Sequence, residues 1–397
     1  MSAASGPRDH QDVGALLGAW ALAACSPGEA ERVEGHLGDC GPCADEALRL
    51  RDAALLLEPQ RSLDLDPHLR LRVLEGCLSR RPARQPLPAW AAPFDQETAR
   101  LDALLNDMAE DEWATPVELR WFEGNTWGSR ATTVAGVVGH LLAVDGLLAR
   151  AAGLPDPPPR AASPAADDQD GPGTEGALPV ERTLARWRAA GAGDWPVWRE
   201  QSRALLRTAA VLGGEPGQRT IPRSALGDEG RFPGEGDAVA LSDAFLDRAF
   251  ACWVHAGDIA EAVEYPYDPP YGPHLRLLVD LAARRLPASI ASRRRAGLAI
   301  SPTRLTRVGA PGRTLHLEVE GSGGGHWFIP VDSPAAGVSG PGERGAAEAV
   351  AHVALDDVVF CQLAAGRTTP EEAASGMEGD PALIHDVLSA AAALSRL

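Results

Sequence analysis

The sequence predicts a multidomain, mainly α-helical chain that closes in an α+β segment, and three observations lead there. Its 397 residues exceed what one small bundle can use and point to two or three domains. Apolar residues recur at helical spacing over most of positions 8–265. Beyond about residue 310 they switch to strict alternation, the pattern of half-buried strands. The expected divisions are a small metal-binding helical domain over 1–80, a linker over 81–93, a four-helix bundle over 94–267 and an α+β domain over 268–397.

The first domain rests on His36, Cys40 and Cys43, which form an H-x3-C-x2-C cluster, with His10 26 residues before His36. Imidazole nitrogens and thiolates are the ligands Zn²⁺ prefers, and four of them close a tetrahedral structural site. The spacing fits a helix end. Ser26-Pro27-Gly28-Glu29 is a capping box with proline at the first helical position, so a helix starts there and places His36 near its C-terminal end. Gly38-Asp39 ends that helix, and Cys40 to Cys43 turns into another from about Ala44 to Leu57. His10 precedes an apolar segment, Val13 to Ala24, with Leu16, Leu17, Trp20 and Leu22 at helix-compatible spacing. Spacing alone leaves the fourth ligand open between His10 and Cys25.

Residues 8–80 resemble the zinc-containing domain of bacterial anti-sigma factors. The resemblance lies in Leu16-Leu17-Gly18-Ala19-Trp20-Ala21-Leu22, Ser26-Pro27-Gly28-Glu29-Ala30 and the His36, Cys40, Cys43 cluster. It implies that His10 takes the fourth position, that Zn²⁺ knits three helices, and that a detached fourth helix helps wrap an extracytoplasmic-function-type sigma factor. Asp66-Pro67 is a start signal for that helix, and Leu69, Val73, Leu74 and Leu78 form its sigma-binding face. An amphipathic helix left without partners on its own bundle docks in a groove of another surface. The alternative is packing on the downstream domain.

Composition narrows the function classes. The formal charge of −18 disfavours direct contact with nucleic acid. All 37 basic residues are arginine, which with abundant Ala, Gly and Pro reflects a GC-rich genome rather than a mechanism. No apolar run is expected to reach the ~18–20 residues of a membrane span, and no signal-peptide pattern opens the chain. A cytoplasmic location with reduced, metal-competent thiols is the expectation. Residues 80–93, rich in Pro, Arg and Ala, read as an extended linker.

Four helices are expected next, at about 94–108, 131–152, 180–212 and 242–264, with 153–179 as a mobile acidic loop. The phrases from Trp127 to Leu142 and from Arg248 to Ile259 resemble the mycothiol-dependent maleylpyruvate isomerase family, of DinB-like fold. That resemblance implies a divalent metal held by two histidines and a glutamate, and His140 and His255 match the two histidines. The glutamate position is Ala251. Two imidazoles leave an incomplete site, since catalytic zinc ordinarily has three protein ligands plus water. Asp258 could substitute, although it lies one turn on the wrong side of His255. The pair reads equally as a degenerate second metal site and as buried polar residues satisfied by neighbours.

In the last region a helix over 275–286 precedes strands at 314–319, 326–331 and 351–354. Asp356 then caps a helix, and Gly379-Asp380-Pro381 starts the final one. This segment resembles the sterol-carrier-like domain that follows the isomerase bundle, with Gly366-Arg367 and Gly379-Asp380 at the matching places. His316, His326 and His352 read as solvated strand residues. Taken together, the expectation is a non-enzymatic, zinc-binding anti-sigma factor whose C-terminal part is a sensor or scaffold, with a possible small-molecule ligand in the bundle. The alternative is a metal- and mycothiol-dependent isomerase or transferase with a zinc-finger regulatory head.

Overall fold

A computed structural model describes residues 7–57, 73, 86–123, 126–157, 178–188, 193–213, 219–227, 237–301, 312–333, 336–340, 349–373 and 376–394. The chain divides into two compact units, Met1–Arg84 and Gln85–Leu397.

The first unit contains α1 (Pro7–Ala21), α2 (Pro27–Leu37) and α3 (Gly41–Leu57). At the start of α2 the Glu29 carboxylate accepts from the Ser26 backbone N–H at 2.9 Å and from its hydroxyl at 2.6 Å, which fixes the entry of the chain. These Ser26 hydrogen bonds hold the Glu29 carboxyl below its ordinary range. Among the described residues its core is small: Val13, Leu17, Val33, Cys43 and Ala47. So few buried side chains cannot stabilise three helices unaided, and domains of this size rely on a crosslink. The third helix begins at Gly41 rather than near Ala44, and α1 already includes His10. Of the expected fourth-helix face, Leu69, Leu74 and Leu78 lie outside the described residues, while Val73 is helical and exposed.

In the second unit, α4 (Ala92–Asp107), α5 (Val134–Ala151), α7 (Asp194–Leu212) and α8 (Leu241–Ala262) pack together, with the short α6 (Pro179–Trp187) against α5. The single helix expected over 180–212 is therefore two helices. Trp90, Ala91 and Pro93, which composition placed in the linker, are buried in this unit's core. An antiparallel hairpin, β1 (Pro116–Glu123) and β2 (Thr126–Thr133), stands where no strand was expected. A second short pair joins β3 (Thr220–Pro222) to β4 (Ala238–Ala240). Most of the expected acidic loop lies outside the described residues, but Asp156 is paired with Arg182 at 2.8 Å.

The α+β segment opens with α9 (Gly272–Arg295), longer than expected and carrying Pro287 inside it. A four-stranded sheet follows, in the order β6 (Gly325–Pro330), β5 (Thr314–Glu320), β7 (Ala349–Asp356), β8 (Gly376–Gly379). The β5–β7 pair is parallel and the other two are antiparallel. Gly321 turns β5 toward β6 with φ +112°, a conformation that disfavours a side chain, and a Cβ there would meet the Asp357 carboxylate. Three helices, α10 (Asp357–Ala364), α11 (Pro370–Ala373) and α12 (Pro381–Ala392), complete the segment. Asp356 and Asp380 cap α10 and α12 by accepting from backbone N–H groups, as expected from sequence.

Two buried apolar clusters are found among the described residues of this unit. One runs from Trp90, Phe94 and Phe245 through Leu278 and Leu286 to Leu315, Val353, Phe360 and Val387. The other gathers Leu101, Leu119, Val137, Leu141, Trp198 and Ile259 within the bundle. The α5 helix is long and apolar enough to cross a membrane, contrary to the expectation that no run would be, but 83% of it is buried, with Val134, Val137, Val138, Leu141 and Leu142 in the second of these clusters. It also carries the buried polar groups His140 and Asp145.

Candidate metal centre and buried histidine pair

Three helix ends converge in the first unit. His10 comes from the start of α1, His36 from the last turn of α2, Cys40 from the turn, and Cys43 from the first turn of α3. The Cys40 backbone N–H donates to the His36 carbonyl at 3.0 Å, which holds the turn tight. One ligand atom from each of the four residues lies within 4.8 Å of every other. His10 Nδ1 is 3.5 Å from Cys40 Sγ and 3.3 Å from Cys43 Sγ. Cys25 points elsewhere, its Sγ lying 3.8 Å from the Leu16 carbonyl.

These residues fit a metal ion. Zinc–sulfur and zinc–nitrogen bonds of about 2.3 and 2.0–2.1 Å at tetrahedral angles place ligand atoms roughly 3.3–3.8 Å apart. The observed S···N separations fall in that interval. His36 Nε2 is buried with no hydrogen-bond partner among the described residues, a cost that a coordinate bond would remove. Burial, then the neighbouring Cys40 thiol, pushes the Cys43 thiol above its ordinary range. The donor set and its geometry are compatible with zinc.

The second expected site lies wholly in the second unit. His140 on α5 and His255 on α8 meet with ring centroids 4.8 Å apart and planes at 75°. His140 Nδ1 lies 2.9 Å from the Thr183 hydroxyl, whose own hydrogen goes to the Pro179 carbonyl at 2.9 Å. That hydroxyl accepts, so His140 carries its proton on Nδ1 and keeps a lone pair on Nε2. His255 Nδ1 lies 3.0 Å from the Asp258 carboxylate, which sets the same tautomer. Burial drives the His140 imidazole well below its ordinary range, with the neighbouring His255 acting in the same sense. Burial lowers His255 too, against the opposing hydrogen bond from Asp258.

Asp258 therefore orients His255 instead of standing in for the missing glutamate, and its other contact is an ion pair with Arg367. Metal-binding histidines commonly donate their second ring N–H to such a carboxylate. Ala251, one turn before His255, offers only a methyl group.

Beside the pair, Asp258 and Arg367 line a cleft of about 690 Å³ with Glu118, Arg120, Trp127 and Trp253. Arg367 also donates to the Arg120 carbonyl, and the Phe122 N–H donates to the Gly366 carbonyl at 2.8 Å. The β1–β2 hairpin and the C-terminal segment are thus tied together at the cleft wall. Sequence reading noted Gly366-Arg367 only as a family signature. Glu118 and Arg120 went unnoticed, although the alternation Val117-Glu118-Leu119-Arg120 signals a strand.

Comparison with known proteins gives two likenesses. Residues 11–44 match a protein family described as "Putative zinc-finger". The chain is also similar to the crystal structure of a histidine-to-alanine mutant of mycothiol-dependent maleylpyruvate isomerase, with TM-score 0.37, 16% identity, and coverage of 74% of this chain and 95% of that one. No curated protein matches the chain. The zinc-finger match spans α2 together with His36, Cys40 and Cys43, three of the four residues of the candidate metal centre, and begins one residue after His10.

Proposed function

We propose that the chain is a zinc-dependent anti-sigma factor that sequesters an extracytoplasmic-function-type sigma factor in the cytoplasm and so represses transcription initiation. The observation that carries this reading is the convergence of His10, His36, Cys40 and Cys43 from three helix ends, the last three of them within the residues that match the zinc-finger family. Zinc held there would supply the crosslink that a five-residue core lacks. Leu48, Leu55 and Leu56 of α3 are exposed, and they follow the i, i+7, i+8 spacing of one helix face. Such a stripe, with Val73 and the rest of the fourth-helix segment, suits docking on a partner protein. The negative net charge favours a partner whose own surfaces meet DNA and polymerase.

In this reading the second unit is a DinB-like bundle with a sterol-carrier-like appendage that acts as sensor or scaffold, and the activity is stoichiometric rather than catalytic. The cleft beside His255 is where a small-molecule signal would bind. Oxidation of Cys40 and Cys43 is a second route to release, because losing the thiolates dismantles the metal site.

The test is co-expression with a small two-domain sigma factor encoded beside this gene. The two chains co-purify one to one, and Cys40→Ser or His36→Ala abolishes the complex. Retention of the complex by both variants, or its absence for the wild type, overturns the reading. Peroxide or diamide that leaves zinc content and sigma binding unchanged excludes the redox route alone. If instead the purified chain held metal at His140 and His255 and turned over a thiol adduct, the isomerase or transferase reading would replace this one.

A further inference from the structure

Three of the ten histidines of this chain gather on the outer face of the C-terminal sheet. His316 and Glu318 lie two residues apart on β5 and so point to the same side, opposite to the buried Leu315, Leu317 and Val319. Register places His352 of β7 beside His316, and His326 of β6 across from Glu318. Four imidazole or carboxylate groups from three neighbouring strands thereby share one patch.

Distances within the patch are those of a ligand shell. His316 Nε2 is 3.1 Å from His326 Nδ1, and His352 Nε2 is 2.9 Å from Glu318 Oε2. Metal–nitrogen and metal–oxygen bonds of about 2.0–2.2 Å at ordinary angles put ligand atoms roughly 2.8–3.5 Å apart. One ligand atom each from His316, Glu318 and His352 lies within 4.8 Å of the others. The rings are held in place: His316 stacks between Phe328 at 4.7 Å and His352 at 4.5 Å, with interplanar angles of 10° and 17°. The side chains of His352 and Glu318 remain 35% and 31% exposed, so an ion can enter and keep a water ligand.

We propose that His316, Glu318 and His352, with His326 as an additional ligand, bind a second divalent transition-metal ion that bridges β6, β5 and β7. Two or three imidazoles and one carboxylate suit zinc, nickel, cobalt or copper, whereas magnesium and calcium prefer all-oxygen shells. This site contains no sulfur, unlike the cluster of the N-terminal unit. An ion at this sheet pins a parallel pair to an antiparallel one and stabilises the second unit whether or not the chain binds a sigma factor.

The experiment uses the full-length chain. Metal content after removal of unbound zinc is expected to be two equivalents for the wild type and one for the His316→Ala/His352→Ala double variant. Cys40→Ser/Cys43→Ser loses the other equivalent. With Co²⁺, the double histidine variant keeps the thiolate-to-cobalt absorption of the N-terminal site, which also shows that this unit remains folded. The conservative variant Glu318→Gln weakens the second equivalent by at least about tenfold without altering circular dichroism. A chain that loses all of its metal in Cys40→Ser/Cys43→Ser overturns the proposal. So does a second equivalent that survives in the double variant, or one that is lost on His140→Ala instead.

Discussion

Cys43 occupies the first turn of α3 with its thiol buried against Cys40 and His10. Removing one thiolate leaves three ligands and a buried, unpaired imidazole at His36. Cys43→Ser is therefore expected to release one zinc equivalent and to melt α1–α3, read by metal analysis and by far-ultraviolet circular dichroism. Cys25→Ser should change neither, because that sulfur faces the Leu16 carbonyl. At the second site the same ligand arithmetic runs in reverse. Ala251 sits one turn before His255 and lines a pocket with it, so Ala251→Glu places a carboxylate beside two imidazoles protonated on Nδ1. The variant is expected to gain one equivalent of divalent metal. A folded variant with no added metal would show that His140 and His255 are joined only for packing.

At the scale of elements, the start of α2 depends on a single local device. Ser26→Ala removes the hydroxyl that donates to Glu29, and the loss should lower the stability of the first unit by about 1 kcal/mol, read from its thermal transition with zinc bound. This helix start was fully legible in sequence because capping is local. So were the Asp356 and Asp380 caps. The β1–β2 hairpin was not read, although Val117 and Leu119 are buried and alternate with Glu118 and Arg120. The flanking helical spacing masked eight-residue strands that pair only with each other. The break between α6 and α7 had a signal as well, in the run Ala189-Ala190-Gly191-Ala192-Gly193.

Across the second unit, the shared core predicts shared unfolding. Phe245 packs edge-on to Trp90 and Phe94, in a core that continues to the sheet and α12. Phe245→Ala is expected to cost about 3–5 kcal/mol. Its effect should appear equally in tryptophan fluorescence and circular dichroism, since bundle and sheet melt together. Two separate transitions within this unit would contradict that view.

Buried charge sets a pH dependence at the same scale. Asp145 accepts from Trp198 Nε1 at 3.0 Å and faces Arg248 at 3.9 Å, yet its Oδ1 has no hydrogen bond among the described residues. Burial pushes its carboxyl from 3.8 up to about 6. The folded state thus holds this proton more firmly than the unfolded chain does. Its contribution to stability is fully present below about pH 4 and is lost as pH rises through about 6. Asp145→Asn should remove that component of the slope, measured as denaturation midpoints between these pH values.

Sequence alone marked three candidate ligands and the caps: His36, Cys40 and Cys43 are close in the chain, and a helix end of known phase turns that closeness into a common direction. It also exposed the gap at Ala251, because a missing side chain is visible without a fold. Tertiary structure decided what depends on distant segments. It brought His10 rather than Cys25 to the cluster, gave Asp258 to His255 and Arg367, and set β7 parallel to β5 so that His352 stands beside His316. Strand register across 36 residues is fixed by which faces the core buries, and no local spacing encodes it.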